Sequence, residues 1–140
     1  MSIGRENQKR GEGTQNAVMN FYKTFARCHV YKIARPGVKA GKRGYRGTMA
    51  TPGMADLYVT QVEHQLAWFH EAKGGKARLT PEQRKFKDRN EACHVTVVVG
   101  DLSSAIAWLL DRGIIRHAAD PYSDTGAYTY VRPPEGWVRQ

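Results

Sequence analysis

The stretch "CHVTVVVG", residues 93–100, limits most strongly how this 140-residue chain can fold. A strand with one face in water alternates apolar and polar residues, whereas a nearly continuous apolar run belongs to a strand covered on both faces. The run therefore predicts a central strand in a sheet with helices on either side. Helical segments flank it. "LTPEQRKFKDRNEA" precedes it, with Thr80 placed to cap a helix and Pro81 at the first helical position. "DLSSAIAWLLDRG" follows as an amphipathic helix ended by Gly113.

The remaining elements extend this plan. "TQNAVMNFYKTFARC" has Ala17, Val18, Phe21, Tyr22 and Phe25 at helical spacing, which predicts a helix over about 14–27 with Thr14 as its N-cap. "HVYKIA" alternates and is rich in β-formers. "ADLYVTQ" and "QLAWFHEAK" read as a hairpin, entered through Pro52-Gly53 and closed by Gly74-Gly75. The expected order is α-β-β-β-α-β-α, a mixed sheet flanked by helices. Residues 114–140 are aromatic and rich in Pro and Gly, and carry no clear pattern.

The length suits one domain. No apolar run approaches the 18 residues of a membrane span, and "MSIGRENQKRGEG" lacks the apolar core of a secretory signal. Two cysteines, Cys28 and Cys93, make no disulfide framework, so a reducing cytoplasm is the expected compartment.

Charge is unevenly placed. Residues 1–47 hold 11 Lys+Arg and 2 Glu, a net +9, while residues 48–140 hold 11 of each sign. A basic region beside a neutral body is the electrostatic footprint of a polyanion binder, although a solubilising surface would look the same. Residues 1–12 read as a flexible basic arm. The segment "PGVKAGKRGYRGTMATPG" reads as a long glycine-rich loop carrying Lys39, Lys42, Arg43 and Arg46, with Arg35 just before it. Tyr45 inside it is a candidate base-stacking residue.

Strand alternation then places chemistry. In "WFHEAK", Phe69, Glu71 and Lys73 point to one face, and Trp68, His70 and Ala72 to the other. Asp56 begins the neighbouring strand, so antiparallel pairing can bring its carboxylate to that of Glu71. Two carboxylates with a backbone carbonyl form a hard, all-oxygen site suited to Mg²⁺. A lysine beside it can orient a water or help to deprotonate it. The plainer readings are a turn-capping Asp56 and a cross-strand surface pair Glu71–Lys73. His70, on the other face, reads as a packed residue rather than a base. The dipeptides Cys28-His29 and Cys93-His94 lack the spacing of a zinc finger.

"TPGMADLYV", "FHEAKGGKARLTPEQRKF" and "CHVTVVVG", in that order, resemble the virus-type replication-repair nuclease domain, VRR-NUC, a branch of the PD-(D/E)XK superfamily with the restriction-endonuclease-like fold. The resemblance covers about residues 12–115. It implies a nuclease domain over 13–115; residues 116–140, outside it, read separately as an extension and a candidate interface. It also implies a Mg²⁺- or Mn²⁺-dependent endonuclease, similar to phage-encoded dimeric enzymes acting on branched DNA, in a family with members in DNA repair. By this resemblance Asp56 and Glu71 bind the metal, the Ala72 carbonyl adds a ligand, Lys73 positions the attacking water, and Gln83 sits over the site. Glu12 is the nearest candidate for a further acidic ligand from the first helix. Gln83 has a second reading, because Thr80-Pro81-Glu82-Gln83 fits a capping box. Lys76, Arg78, Arg84 and Lys87 join the loop residues as candidate phosphate contacts, as do Lys85 and Arg89. The alternative is a non-catalytic nucleic-acid-binding module that retains the fold.

Overall fold

Val18 and Tyr22, four apart on the first helix, and Ala26 just past its end are all fully buried, and that stripe sets the helix on the sheet. The computed structural model describes residues 3–33, 52–120, 122 and 127–140, with side chains from residue 11 onward. Helix α1 (Ile3–Phe25) ends where Arg27 adopts φ 54° and the Cys28 N–H donates to the Tyr22 carbonyl at 3.0 Å. The helix begins well before Thr14, so Thr14 is not its cap and residues 3–12 are not an extended arm. Gly11 and Gly13 lie inside it. An interior glycine costs only about 1 kcal/mol relative to alanine, too little to terminate a long helix by itself.

Strands β1 (His29–Lys32), β2 (Leu57–Gln61) and β3 (Leu66–Ala72) are antiparallel neighbours. Helix α2 (Pro81–Ala92) then carries the chain across to β4 (Val97–Gly100), which runs parallel to β3. The result is a mixed four-stranded sheet in the order β1-β2-β3-β4. Helix α3 (Leu102–Asp111) follows, capped by Asp101. The α-β-β-β-α-β-α order is the expected one.

The position of β4 is not. It lies at the edge of the four-stranded sheet rather than at its centre. Its apolar run reports coverage of both faces, not pairing of both edges. Val98 joins the core on the α1 and α3 side, and Val97, opposite Phe69, is buried on the α2 side.

The core lies between the sheet and α1 with α3. Leu57, Val59, Trp68 and Val98 meet Val18, Tyr22, Ala26, Ala105 and Leu109 there. The opposite face is covered more lightly. No residue of α2 is fully buried, and Phe86 alone packs edge-on against Phe69, with centroids 5.1 Å apart.

The last third is tied to this body. Ile114 and Ile115 enter the core, and β5 (Ile115–His117) pairs antiparallel with β6 (Tyr128–Tyr130). Buried Gln61 donates to the Ala26 carbonyl at 3.0 Å and the Tyr130 hydroxyl at 3.1 Å, and accepts the His64 N–H at 2.7 Å. One side chain thus joins the end of α1, the β2–β3 turn and β6. Among the described residues, no helix is long and apolar enough to cross a membrane.

Candidate functional site

The outer face of β3 carries Phe69 and then Glu71, and the register that opposes Leu57 to His70 brings Asp56, one residue before β2, alongside Glu71. Both carboxylates are 3% exposed, so each must be compensated by hydrogen bonds or charge. Each accepts a backbone N–H from the neighbouring strand. The Asp56 N–H donates to Glu71 Oε2 at 3.1 Å, and the Ala72 N–H donates to Asp56 Oδ2 at 2.9 Å. Lys73 lies on the same face, with Nζ 3.8 Å from Glu71 Oε1. A pair of charged residues at the inner end of a strand is therefore a built cluster rather than a surface pair.

Gln83 joins it, forming the expected capping box and also touching Glu71. Its Oε1 accepts the Thr80 N–H at 2.9 Å while its own N–H donates to Thr80 Oγ1 at 3.2 Å, closing the capping box. The same amide donates from Nε2 to Glu71 Oε1 at 2.8 Å. An amide has both acceptor and donor capacity, so one side chain caps α2 and holds a site carboxylate.

The turn before Asp56 is fitted to that helix. Gly53 has φ +87°, and a Cβ there would lie 2.5 Å from the Glu82 carbonyl. Only glycine allows the Pro52-Gly53 turn to rest on the first turn of α2. The Gly-x-x-Asp spacing thus brings the Asp56 strand and the Gln83 helix together.

Behind the site, on the core face, lies a chain of buried hydrogen bonds that the sequence reading missed. The Trp68 Nε1–H donates to the Tyr22 hydroxyl at 3.3 Å, Tyr22 Oη lies 2.6 Å from His70 Nδ1, and His70 Nε2 lies 2.9 Å from the Gly100 carbonyl. His70 is a packed residue, as expected, and burial holds its pKa below the usual imidazole value. Burial likewise raises the Tyr22 hydroxyl well above the usual phenol range. A tyrosine on the buried stripe of α1 and a histidine on the inner face of β3 were the available signals.

Other expected residues divide. Glu12 is exposed on α1. Thr14, two residues on and thus about 200° around the helix, is the residue that meets Gly74 at the end of β3, its hydroxyl 3.1 Å from where a Cβ would stand. Among the described residues no group of three or more His, Cys, Asp and Glu could hold a metal ion. The expectation of Glu12 as a third acidic ligand is therefore not met, because the helix turns it away from this contact. Cys28 is buried and Cys93 exposed.

Arg35, Lys39, Lys42, Arg43, Tyr45 and Arg46 lie outside the described residues. Lys76, Arg78 and Arg84 are exposed. Lys87 is paired with Glu91, which makes it a helix-surface ion pair rather than an open cation. Lys85 and Arg89, with Pro52 and Phe86, instead line a cleft of about 170 Å³ beside the Gly53 turn. A wider groove of about 440 Å³ opens between the end of α1 and β6. It includes Arg27 and Arg132 but no carboxylate among its lining residues, so it offers none of the acid chemistry of the β3 cluster.

Compared with protein-family models, with curated proteins and with solved structures, the chain matches none of them.

Proposed function

We propose that the chain is a metal-dependent DNA endonuclease of the VRR-NUC type, with the restriction-endonuclease-like core that its element order suggests. The observation that carries this reading is the buried pair of Asp56 and Glu71, the first accepting the Ala72 N–H and the second the Asp56 N–H, with Lys73 and Gln83 on the Glu71 carboxylate. Structural ion pairs do not require two carboxylates to be buried side by side. A hard divalent cation does favour such a pair, because Mg²⁺ and Mn²⁺ take one or two carboxylates and complete their shell from water and phosphate. Asp56, Glu71 and the Ala72 carbonyl are the groups that would hold it. When bound, the cation supplies Lewis acidity toward the phosphodiester and lowers the pKa of the attacking water.

The chain's own residues divide the remaining work. Lys73 Nζ orients the attacking water and holds charge near the phosphate. Gln83 fixes the rotamer of Glu71 through Oε1. Exposed Lys85, Arg89, Arg84, Lys76 and Arg78 supply positive charge for a phosphate backbone, and the sequence adds the basic residues of 35–46. Among the described residues no element reads as a base-recognition helix, so selectivity is for DNA shape, such as branches and junctions, rather than sequence. A single site per chain makes a homodimer the form that cuts two strands. The cytoplasm is the compartment that suits two free cysteines.

The test is incubation with single-stranded, duplex, nicked and four-way-junction DNA, with Mg²⁺, Mn²⁺ or EDTA. Cleavage in either metal and none in EDTA supports the enzyme. Binding without cleavage on every substrate replaces it with the non-catalytic module.

A further inference from the structure

The Gly100 carbonyl accepts two hydrogen bonds, one from the Lys73 main-chain N–H at 3.1 Å and one from the His70 ring at 2.9 Å. A carbonyl only accepts, so His70 Nε2 must carry the proton. In a neutral ring Nδ1 is then an acceptor, and the Tyr22 hydroxyl, 2.6 Å away, is its donor. The Tyr22 oxygen is in turn free to accept from Trp68 Nε1–H at 3.3 Å. Every donor and acceptor in the chain has one consistent role. The ring itself is fully buried, and this one order of bonds satisfies both of its nitrogens.

The carbonyl at the end of the chain is itself fixed. Gly100 has φ +138°, and a Cβ there would lie 2.0 Å from Ser104 Oγ. The end of β4 is thus pressed under the first turn of α3, where Asp101 caps the helix. Helix α1, β3, β4 and α3 all meet at this point. Glu71 and Lys73 leave β3 on the opposite face, one and three residues after His70.

We propose that His70, held as its Nε2–H tautomer by Tyr22 and Gly100, is the positioning residue of the site. By sharing the Gly100 carbonyl with the Lys73 main chain, it sets where the Glu71 and Lys73 side chains emerge. The proposal rests on the nuclease reading for its catalytic consequence, but the tautomer and the backbone position are independent of it. The hydrogen-bond partners of the ring are uncharged, the Tyr22 hydroxyl and the Gly100 carbonyl, while Asp56 and Asp101 act on it only through their charge. The role is therefore one of geometry and not of proton transfer to substrate.

Three variants separate positioning from mere packing. His70→Phe keeps a ring and removes both bonds. His70→Gln supplies one acceptor and one donor in place of the two ring nitrogens. Tyr22→Phe removes only the hydroxyl. Long-range ¹H–¹⁵N spectra of the ¹⁵N-labelled full chain should show wild-type His70 protonated at Nε2 and not at Nδ1. His70→Phe and Tyr22→Phe should shift the Lys73 amide resonance. At a temperature well below their unfolding midpoints, they should lower kcat by about tenfold to a hundredfold, the scale of a small misplacement of reacting groups, with KM for DNA unchanged. His70→Gln should recover most of that loss. An Nδ1–H tautomer in the wild type overturns the proposal. So does a folded His70→Phe or Tyr22→Phe protein with unaltered Lys73 amide and kcat, even if it melts at a lower temperature. If His70→Phe does not fold, the wild-type tautomer and Tyr22→Phe decide. If the wild type cleaves no DNA, the nuclease reading fails by itself, while the tautomer and the Lys73 resonance still uphold or overturn the positioning.

Discussion

The Gln83 side chain donates to the Glu71 carboxylate at 2.8 Å while its oxygen receives the Thr80 backbone N–H at 2.9 Å. A helix cap and a site contact are thus the two ends of one amide. The arrangement ties the position of a buried carboxylate to the first turn of a helix that is otherwise exposed.

That link predicts a separation of stability from activity. Gln83→Glu keeps an acceptor for the Thr80 N–H, so the cap survives, but it sets a second negative charge against Glu71. Cleavage should fall at least tenfold with little change in the unfolding midpoint. Thr80→Ala should do the reverse, costing about 1 kcal/mol through the lost cap with specific activity retained. Equal losses of stability in both, and no separate loss of activity, would leave Gln83 as a cap alone.

The glycines predict opposite signs at two places. Gly53→Ala must hold a Cβ 2.5 Å from the Glu82 backbone at φ +87°, so it should destabilise by about 1–3 kcal/mol and displace Asp56. Gly11 and Gly13 lie in α1 with nothing within 4 Å of a Cβ. Alanine at either should stabilise by up to about 1 kcal/mol. Denaturant midpoints of the three variants check this. No gain at Gly11 and Gly13 would mean that the segment is not helical in solution.

Alkaline pH should weaken the fold. Burial pushes the Cys28 thiol up to about 12, against about 8.5 in an unfolded chain. Between those values the folded state holds a proton that the unfolded state has released, so stability falls as pH rises. Its contribution is complete below about pH 8.5 and is lost progressively toward pH 12. Cys28→Ala should flatten the decline between pH 8.5 and 10, below the range where tyrosines titrate. Exposed Cys93 should be alkylated in the native protein, with Cys28 modified only on unfolding, as read by peptide mass.

Much of this was legible in the sequence. Period-two alternation put Glu71 and Lys73 on one face and His70 on the other, and the Thr80-Pro81 start fixed where α2 begins. The element order followed from these signals. What failed has physical causes. The run at 93–100 showed that both faces of β4 are covered but carried no information on strand pairing, so an edge strand read as a central one. Residues 1–12 read as an arm, yet the helix reaches back to Ile3, because the apolar spacing that marks it begins only at Ala17. The Tyr22–His70–Gly100 chain joins residues 48 and 30 positions apart, a separation that no local pattern reports. Gln83 was read as either cap or site, because sequence spacing does not show one amide using both ends.

The central claim is that Asp56 and Glu71 form a catalytic metal centre, and one paired measurement tests it most directly. Mg²⁺ binding by calorimetry and DNA cleavage are measured on wild type, Asp56→Asn, Glu71→Gln and Lys73→Ala, with DNA affinity in EDTA as the common control. The two carboxylate variants should lose Mg²⁺ binding and cleavage together, while DNA affinity in EDTA persists or rises slightly as a repulsive charge is removed. Lys73→Ala should keep Mg²⁺ binding and lose turnover. A wild type that binds DNA without metal-dependent cleavage on any substrate, indistinguishable from all three variants, would contradict the account.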